Sequence, residues 1–393
     1  MRSTYVSKLS SLVILASVLR IITALNGQCS TRSVLTYNTA LLDNRLSPDI
    51  PNDRLLRREA IISELRRVDA DVVCLQEVWI GQDVERFVDG LSDLYKHSHS
   101  KLHIPGKYGP VLPDQTGPSM APCPNNDIMA FLRCGRRNRC FRQQGQRIVG
   151  CLHAHCYHIY VRLPQECLTC AATSYKNRAL AQRNCMGNGQ PAFNMMTINT
   201  PGLLILSKTP LYNAKYTDFH PYTTETIERG FLEADTPGLG KVVCTHVTMN
   251  YPLYYEIGLS YRGVFHSFWE QGHSERTELI ETFGNTKSLI LAGDFNTGDR
   301  FGPLINTDLP HEYCHLAKVF DNTPVKECTL CWPHENIYTK DLKSALNTVV
   351  DHVFYKGHTN INVERVIKPT DALIIDNIPL SDHNGVKATF LVC

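Results

Sequence analysis

The chain carries almost no net charge: 40 Lys and Arg against 38 Asp and Glu leave +2 over 393 residues. No whole-chain field therefore points to nucleic acid or to an acidic polymer, and any electrostatic partner has to be read from local patches. There is no internal repeat, and beyond the N-terminus no stretch reaches the roughly 18 uncharged apolar residues of a membrane-spanning helix. The balance of 43% hydrophobic and 20% charged residues excludes a disordered or fibrous chain.

What is plentiful is cysteine, with 15 residues, an odd number that leaves at least one thiol without an intramolecular partner. The N-terminus says where they work. Arg2 and Lys8 precede an apolar stretch from Leu9 to Leu19; Arg20 interrupts it, and Ile21 to Leu25 closes it before small residues near Ala24 and Gly27. That order reads as a secretory signal peptide over residues 1–27, in preference to an uncleaved anchor or a buried N-terminal helix. Secretion makes disulfides the default use of cysteine. Cys74 and Cys244 lie inside apolar strand runs and are expected as buried small hydrophobes. Cys167 with Cys170, and Cys328 with Cys331, have zinc-knuckle spacing, but export favours disulfides.

From Ser33 onward the pattern is α/β. Strands are predicted at Val34–Asn38, Asp71–Val78, 202–206, 241–245, 288–292, Val349–Tyr355 and Ala388–Val392. Helices are predicted at Arg54–Val68, Val84–Tyr95 and Leu259–Phe283. Residues 105–125 are rich in Pro and Gly, a loop signal. Residues 123–185 then hold eight cysteines and ten Lys or Arg against two acids, Asp127 and Glu166. The simplest organisation is one α/β domain over residues 28–393, interrupted at about 113–195 by a basic, cysteine-rich insertion.

Several buried-type strands end in polar residues that packing alone would not choose: Asn38, Glu77, Thr245-His246, Gly293-Asp294-Phe295-Asn296 and Val350-Asp351-His352, with Ser381-Asp382-His383 near the C-terminus. Singly, each has a bland reading as a turn cap or a satisfied core histidine. Together, oxygen ligands suit a hard divalent ion, and two histidines supply a base and an acid. The set fits metal-assisted attack of water on a phosphate ester.

In that order these motifs resemble the endonuclease/exonuclease/phosphatase superfamily, over roughly residues 33–112 and 196–393. The resemblance implies a four-layer α/β sandwich of the DNase I-like kind. Leu75-Gln76-Glu77-Val78-Trp79 with Gln82-Asp83, Gly202 to Pro210, Arg229 to Ala234, Tyr251 shortly after Thr245-His246, Val350 to Lys356 and Leu380 to His383 are most similar to neutral sphingomyelinases. Those enzymes usually carry Tyr where His352 stands. The resemblance implies Mg²⁺, with Mn²⁺ as a substitute, bound by Glu77 with Asn38 close by. It implies that Asp294 and Asn296 position the phosphate and the attacking water. It makes His383 the general base, polarised by Asp351 or supported by Asp382, and gives His246 the developing charge or the leaving oxygen. The implied substrate is a phospholipid at a membrane surface, sphingomyelin above all, with nucleic acid as the alternative. No obligate protein partner is evident. The basic run Arg136, Arg137 and Arg139, with Arg142 and Arg147, is an expected contact for anionic headgroups or phosphates.

Overall fold

Alternation along single strands sets the layers. Side chains of successive strand residues point to opposite faces, so a strand apolar at both parities must be covered on both sides. On Leu289–Asp294, Ile290 and Ala292 enter one core while Leu291 enters another. On Ser30–Asn38, Val34 enters that same first core, and Leu35 and Tyr37 enter a third.

A computed structural model describes residues 29–41, 53–103, 123, 125–143, 147–160, 162–164, 167–168, 170, 185, 199–219, 227–250, 264–302, 305–331, 347–368 and 379–392. Residues 1–27, expected as a signal peptide, most of residues 105–125, Tyr251 and residues 259–263 of the predicted helix lie outside the described residues. Strands are β1 (Ser30–Asn38), β2 (Val72–Gln76), β3 (His97–His99), β4 (Leu204–Ser207), β5 (Tyr212–Asp218), β6 (Gly230–Thr236), β7 (Gly240–His246), β8 (Leu289–Asp294), β9 (Asp321–Asn322), β10 (Asp351–Lys356), β11 (Thr359–Val366) and β12 (Gly385–Val392). Helices are α1 (Asp53–Val68), α2 (Gly81–Gly90), α3 (Asn125–Arg137), α4 (Arg147–Tyr160), α5 (Phe268–Phe283) and α6 (Pro310–Ala317).

Two six-stranded sheets form, in the orders β11-β12-β1-β2-β4-β3 and β5-β6-β7-β8-β10-β9. Between them lie Val34, Val72, Ile205, Val242, Ile290, Val353 and Phe390. The outer face of the first sheet packs on Ile61 and Leu65 of α1 and Phe87 of α2. The outer face of the second packs on Leu279 and Phe283 of α5 and Leu316 of α6. The result is the four-layer sandwich that the motifs imply, of the DNase I-like kind. Each sheet has one parallel pair bridged by a crossover helix, β1–α1–β2 and β7–α5–β8. Among the described residues, no helix is long and apolar enough to cross a membrane.

Two expectations need correction. Cys74 and Cys244 are fully buried, as read, but they are joined as a disulfide rather than kept as thiols. β2 and β7 belong to different sheets, yet the Cα atoms of this pair lie 5.4 Å apart, well inside the usual ~10 Å sheet spacing. The sandwich therefore closes just below the strand ends that carry Glu77 and His246. The CxxC cysteines form disulfides, as export favours: Cys167 bonds Cys123, Cys170 bonds Cys185, and Cys328 bonds Cys331. Second, the α5 helix starts at Phe268 because Ser267 caps it: the Ser267 hydroxyl accepts from the Glu270 N–H, and the Glu270 carboxylate accepts from the His266 N–H. The described residues of the insertion include two helices. α3 and α4 are cross-linked by Cys134–Cys156, and Cys140–Cys151 ties the turn between them. With Phe131, Ile128, Ile159 and Tyr160, Cys156 and Cys134 build a small separate core. Among the described residues the free thiol is Cys314, which is exposed.

Candidate active site

The parallel pairing of β7 with β8 sets His246 beside Asp294, and the antiparallel pairing of β10 with β8 sets Asp351 beside Asp294 from the other side. Asn38 ends β1, one strand from the Gln76 end of β2 that Glu77 follows. Four strand ends from two sheets thus meet at Asp294. Gly293 makes the meeting possible: a Cβ there would lie 2.3 Å from the Thr245 carbonyl oxygen. Glu77 and Asn296 both turn the chain at positive φ, 59° and 48°, where the strands must end.

All eight residues expected from the sequence come to this region, and all are buried. Asp294 Oδ2 is the hub. Asn38 Nδ2 donates to it at 3.0 Å and lies 3.4 Å from Glu77 Oε1. His246 Nε2 stands 3.4 Å from the same oxygen and His383 Nε2 3.8 Å. The Asn38 amide oxygen accepts from the Ala40 N–H at 3.1 Å. A backbone N–H can only donate, so this contact fixes the amide orientation and turns the NH₂ toward the acids. His383 Nδ1 donates to Asp351 Oδ2 at 2.8 Å. Of the two acids expected to support this histidine, the structure therefore pairs it with Asp351. Asp382 instead lies 3.5 Å from the Ser381 hydroxyl, which donates to the Asn38 carbonyl at 2.7 Å. Asn296 closes the loop, its N–H donating to Asp294 Oδ1 and its side chain to the Val247 carbonyl.

Electrostatics follow from burial. Desolvation and the neighbouring Asp351 charge push the Asp294 carboxyl well above the ordinary carboxylate range. Burial alone would lower the His383 imidazole, but Asp351, Asp294 and Asp382 outweigh it and raise the group above an ordinary histidine. Asp351 Oδ1 is buried without a hydrogen-bond partner. The pocket is short of positive charge. Asp294, Asp351 and His383 bring ligand-type atoms within 4.8 Å of one another. The 2.8 Å contact makes His383 and Asp351 a hydrogen-bonded dyad, which leaves Glu77 and Asp294 as the hard oxygen donors. That donor set fits a hard divalent cation.

Sequence reasoning missed the residues that hold these loops. Arg276, fully buried on α5, donates to the carbonyls of Phe295 and Asn296. Glu275 accepts from the Thr248 N–H and hydroxyl just beyond His246. Arg57 donates to the carbonyls of Thr39, Ala40 and Leu380, and so ties the Asn38 loop to the one carrying His383. A charged residue on a helix normally marks a solvated face, so no pattern singles these out. Thr329, whose hydroxyl accepts from the Asp351 N–H, gives no signal either.

Residues 35–383 match the sequence pattern of the endonuclease/exonuclease/phosphatase family. The chain belongs to that family. Family members are phosphoesterases that depend on a divalent metal. Among solved structures the chain is similar to sphingomyelinase C from Streptomyces griseocarneus, with 14% identity, TM-score 0.48, and 92% of this chain and 99% of that one covered. It is similar to truncated Caenorhabditis elegans TDP2 at 13% identity and TM-score 0.46, covering 92% and 98%. Beta toxin from Staphylococcus aureus follows at 12% and 0.46, covering 91% and 99%. No curated protein matches the chain.

His352, where a tyrosine is usual in neutral sphingomyelinases, belongs to the core beneath the site rather than to the chemistry. Its Nε2 meets the Thr297 carbonyl at 2.9 Å, which only accepts, so Nε2 carries the proton. Nδ1 then accepts from Asn322 Nδ2 at 3.2 Å. Protonation would set two donors face to face, and burial holds the pKa down, to about 4. Above an unfolded pKa of about 6.5 neither state is charged; between about 6.5 and about 4 the unfolded chain gains a proton that the folded chain refuses. Stability should fall over that window by on the order of 3 kcal/mol from this group. His352→Gln keeps a donor and an acceptor but cannot titrate. Urea midpoints taken from pH 7 to pH 4 should decline more steeply in the parent than in this variant, and parallel profiles would remove His352 as a cause.

Proposed function

We propose that the protein is a secreted Mg²⁺-dependent phosphodiesterase that hydrolyses sphingomyelin to ceramide and phosphocholine. The observation that carries the reading is the His383–Asp351 dyad facing Asp294, with His246 and Glu77 beside the same carboxylate. The choice of sphingomyelin rests on the Leu75–Trp79 and Arg229–Ala234 motifs.

The mechanism needs a base, an acid and a way to hold an anionic diester against an incoming nucleophile. His383 Nε2 takes the proton from water, while its Nδ1–H stays bonded to Asp351, which stabilises the imidazolium as it forms. Asp294 and Asn296 position the phosphate and that water. His246 donates to the leaving oxygen or stabilises the charge developing on it. Glu77 would hold Mg²⁺, or Mn²⁺ in its place, with Asn38 close by through its NH₂ on the neighbouring acids, and the bound ion would supply positive charge against the anionic phosphate. In this reading residues 1–27 are removed as a signal peptide and residues 28–393 form one domain with the insertion at about 113–195. The disulfides support an oxidising compartment.

In the insertion Arg136, Arg137 and Arg139 are exposed, and among the described residues none has an ion-pair partner. The insertion is assigned to docking on an anionic lipid surface. Replacing the three together by Ala should weaken binding to anionic vesicles, as added salt should for the parent, while hydrolysis of a soluble short-chain substrate barely changes. Loss of soluble-substrate turnover with vesicle binding kept would place the insertion in the active site instead.

The same exposed arginines favour a second reading, a secreted endonuclease gripping a phosphate backbone. A substrate panel of sphingomyelin vesicles, plasmid DNA and inositol phosphates separates the two. Phosphocholine release far exceeding DNA nicking is the expected result; the reverse order would establish the nuclease.

A further inference from the structure

The loop that follows β9 carries Cys328 and Cys331, bonded to each other, with Thr329 and Leu330 between them. It touches the dyad directly. The Thr329 hydroxyl accepts from the backbone N–H groups of Val350 and Asp351, at 3.0 and 3.1 Å. Leu330 pairs with Thr348 on one side and with His383 on the other. Asn384, next to the base, donates its N–H to the Thr329 carbonyl at 2.7 Å and its side chain to the Cys328 and Thr329 carbonyls. This short loop thus reaches both members of the His383–Asp351 pair, and nothing in the phosphodiester chemistry explains why it is cross-linked.

We propose that the Cys328–Cys331 disulfide is a thiol–disulfide exchange site, open to a dithiol reductant, whose state sets how firmly the His383–Asp351 dyad is held. Its effect on turnover rests on the phosphodiesterase reading; the exchange itself does not. Among the described disulfides this is the one in which neither cysteine is buried. Exposed disulfides are the labile ones, whereas Cys74–Cys244 is sealed in the core. An open groove lies between residues 323–327 and β11, with Glu327 and Arg365 in its wall, so a reductant approaches from the side that bears the pair. Arg365 Nη1 stands 3.8 Å from Cys328 Sγ and 3.6 Å from Cys331 Sγ. A guanidinium there stabilises the thiolates that reduction produces. The Glu327 carboxylate pairs with the same guanidinium at 3.0 Å. Asn384 Nδ2 also donates to Cys331 Sγ, at 3.1 Å, which makes Cys331 the leaving sulfur.

The exchange runs in two steps. A thiolate of the reductant attacks Cys328 Sγ, the Cys328–Cys331 bond breaks, and its electron pair leaves on Cys331 Sγ, which takes up a proton. The second thiol of the reductant then attacks the mixed disulfide, closes the reductant's own disulfide and releases Cys328, which is protonated in turn. Two electrons and two protons pass from the dithiol to the protein. The reduced Cys331 has a partner in place, since the Cys328 carbonyl oxygen lies 3.0 Å from its sulfur. Loss of the cross-link returns conformational freedom to the loop and so loosens the contacts of Thr329 and Leu330 with the dyad.

The test titrates the full, oxidised chain with dithiothreitol. It reads alkylated cysteines by peptide mass spectrometry, amide hydrogen exchange at Val350 and Asp351, and turnover of bis(p-nitrophenyl) phosphate with Mg²⁺. Cys328 and Cys331 should be labelled ahead of the cysteines of every other pair. At that point exchange at Val350 and Asp351 should quicken and kcat should fall, each about tenfold, and re-forming the bond with oxidised glutathione should restore both. Cys328→Ser/Cys331→Ser should show the quick exchange and the lowered kcat with no reductant present, and its thermal midpoint checks the fold. The proposal is overturned if a buried pair is labelled before this one or together with it. It is equally overturned if reduction of this pair leaves the amide exchange, or the turnover of an active parent, unchanged. A parent without turnover would end the phosphodiesterase reading instead, and labelling with amide exchange would still decide this one.

Discussion

His383→Ala should lose about 10²–10⁴-fold in kcat on a soluble phosphodiester, with little change in KM, because it removes the group that takes the proton from water in the proposed mechanism. Asp351→Asn should fall nearly as far. It keeps the shape but not the charge that holds the Nδ1–H at 2.8 Å. The double variant should be little worse than either single one, since the pair acts as a unit. A pH profile gives the sign independently. Asp351 helps to raise the imidazole, so the base is lost to protonation as pH falls through a value above that of an ordinary histidine. Asp351→Asn lowers that value and should move the acid limb of the residual activity to lower pH. An acid limb unchanged in a variant lacking His383 would pass the base role to His246.

Glu77→Gln is the second large effect. Glutamine keeps the length and hydrogen-bonding capacity of the side chain and tolerates the same positive φ, but it removes the negative charge of the hard oxygen donor. Turnover should fall by orders of magnitude, on the scale of about 10³-fold, and the Mg²⁺ concentration needed for half-maximal activity should rise. Burial of the parent residue at 7% exposure means the lost charge is not replaced by solvent ions. Full activity of Glu77→Gln in chelator would end the metal mechanism.

Much of this site was legible because a buried strand has no packing use for a terminal acid or histidine. Glu77, His246 and Asp294 each follow an apolar run and stand out against it. The partner of His383 did not stand out. Asp351 lies 32 residues away and Asp382 is adjacent, and only the pairing of β10 with β8 decides between them. The Cys74–Cys244 bridge was hidden for a similar reason: its sulfurs are 170 residues apart and sit in runs that look like plain core. Two edge strands, β5 and β11, escaped because exposure removes the alternation that marks a strand; Tyr212–Asp218 is mostly exposed and Thr359–Val366 largely so. The helices α3 and α4 were masked by cysteines, which read as cross-links before they read as a helix face. Arg276 and Arg57 were invisible for the opposite reason, being charges that fold inward to hold carbonyls.

The most direct test of the central claim strips the protein of metal with chelator, removes the chelator, and follows hydrolysis of a soluble short-chain sphingomyelin as Mg²⁺ is added back. The account predicts no turnover before Mg²⁺ and release of phosphocholine and a ceramide after it, with His383→Ala and Glu77→Gln near background throughout. Release at the full rate in the metal-free protein, or full activity in both variants, would contradict it.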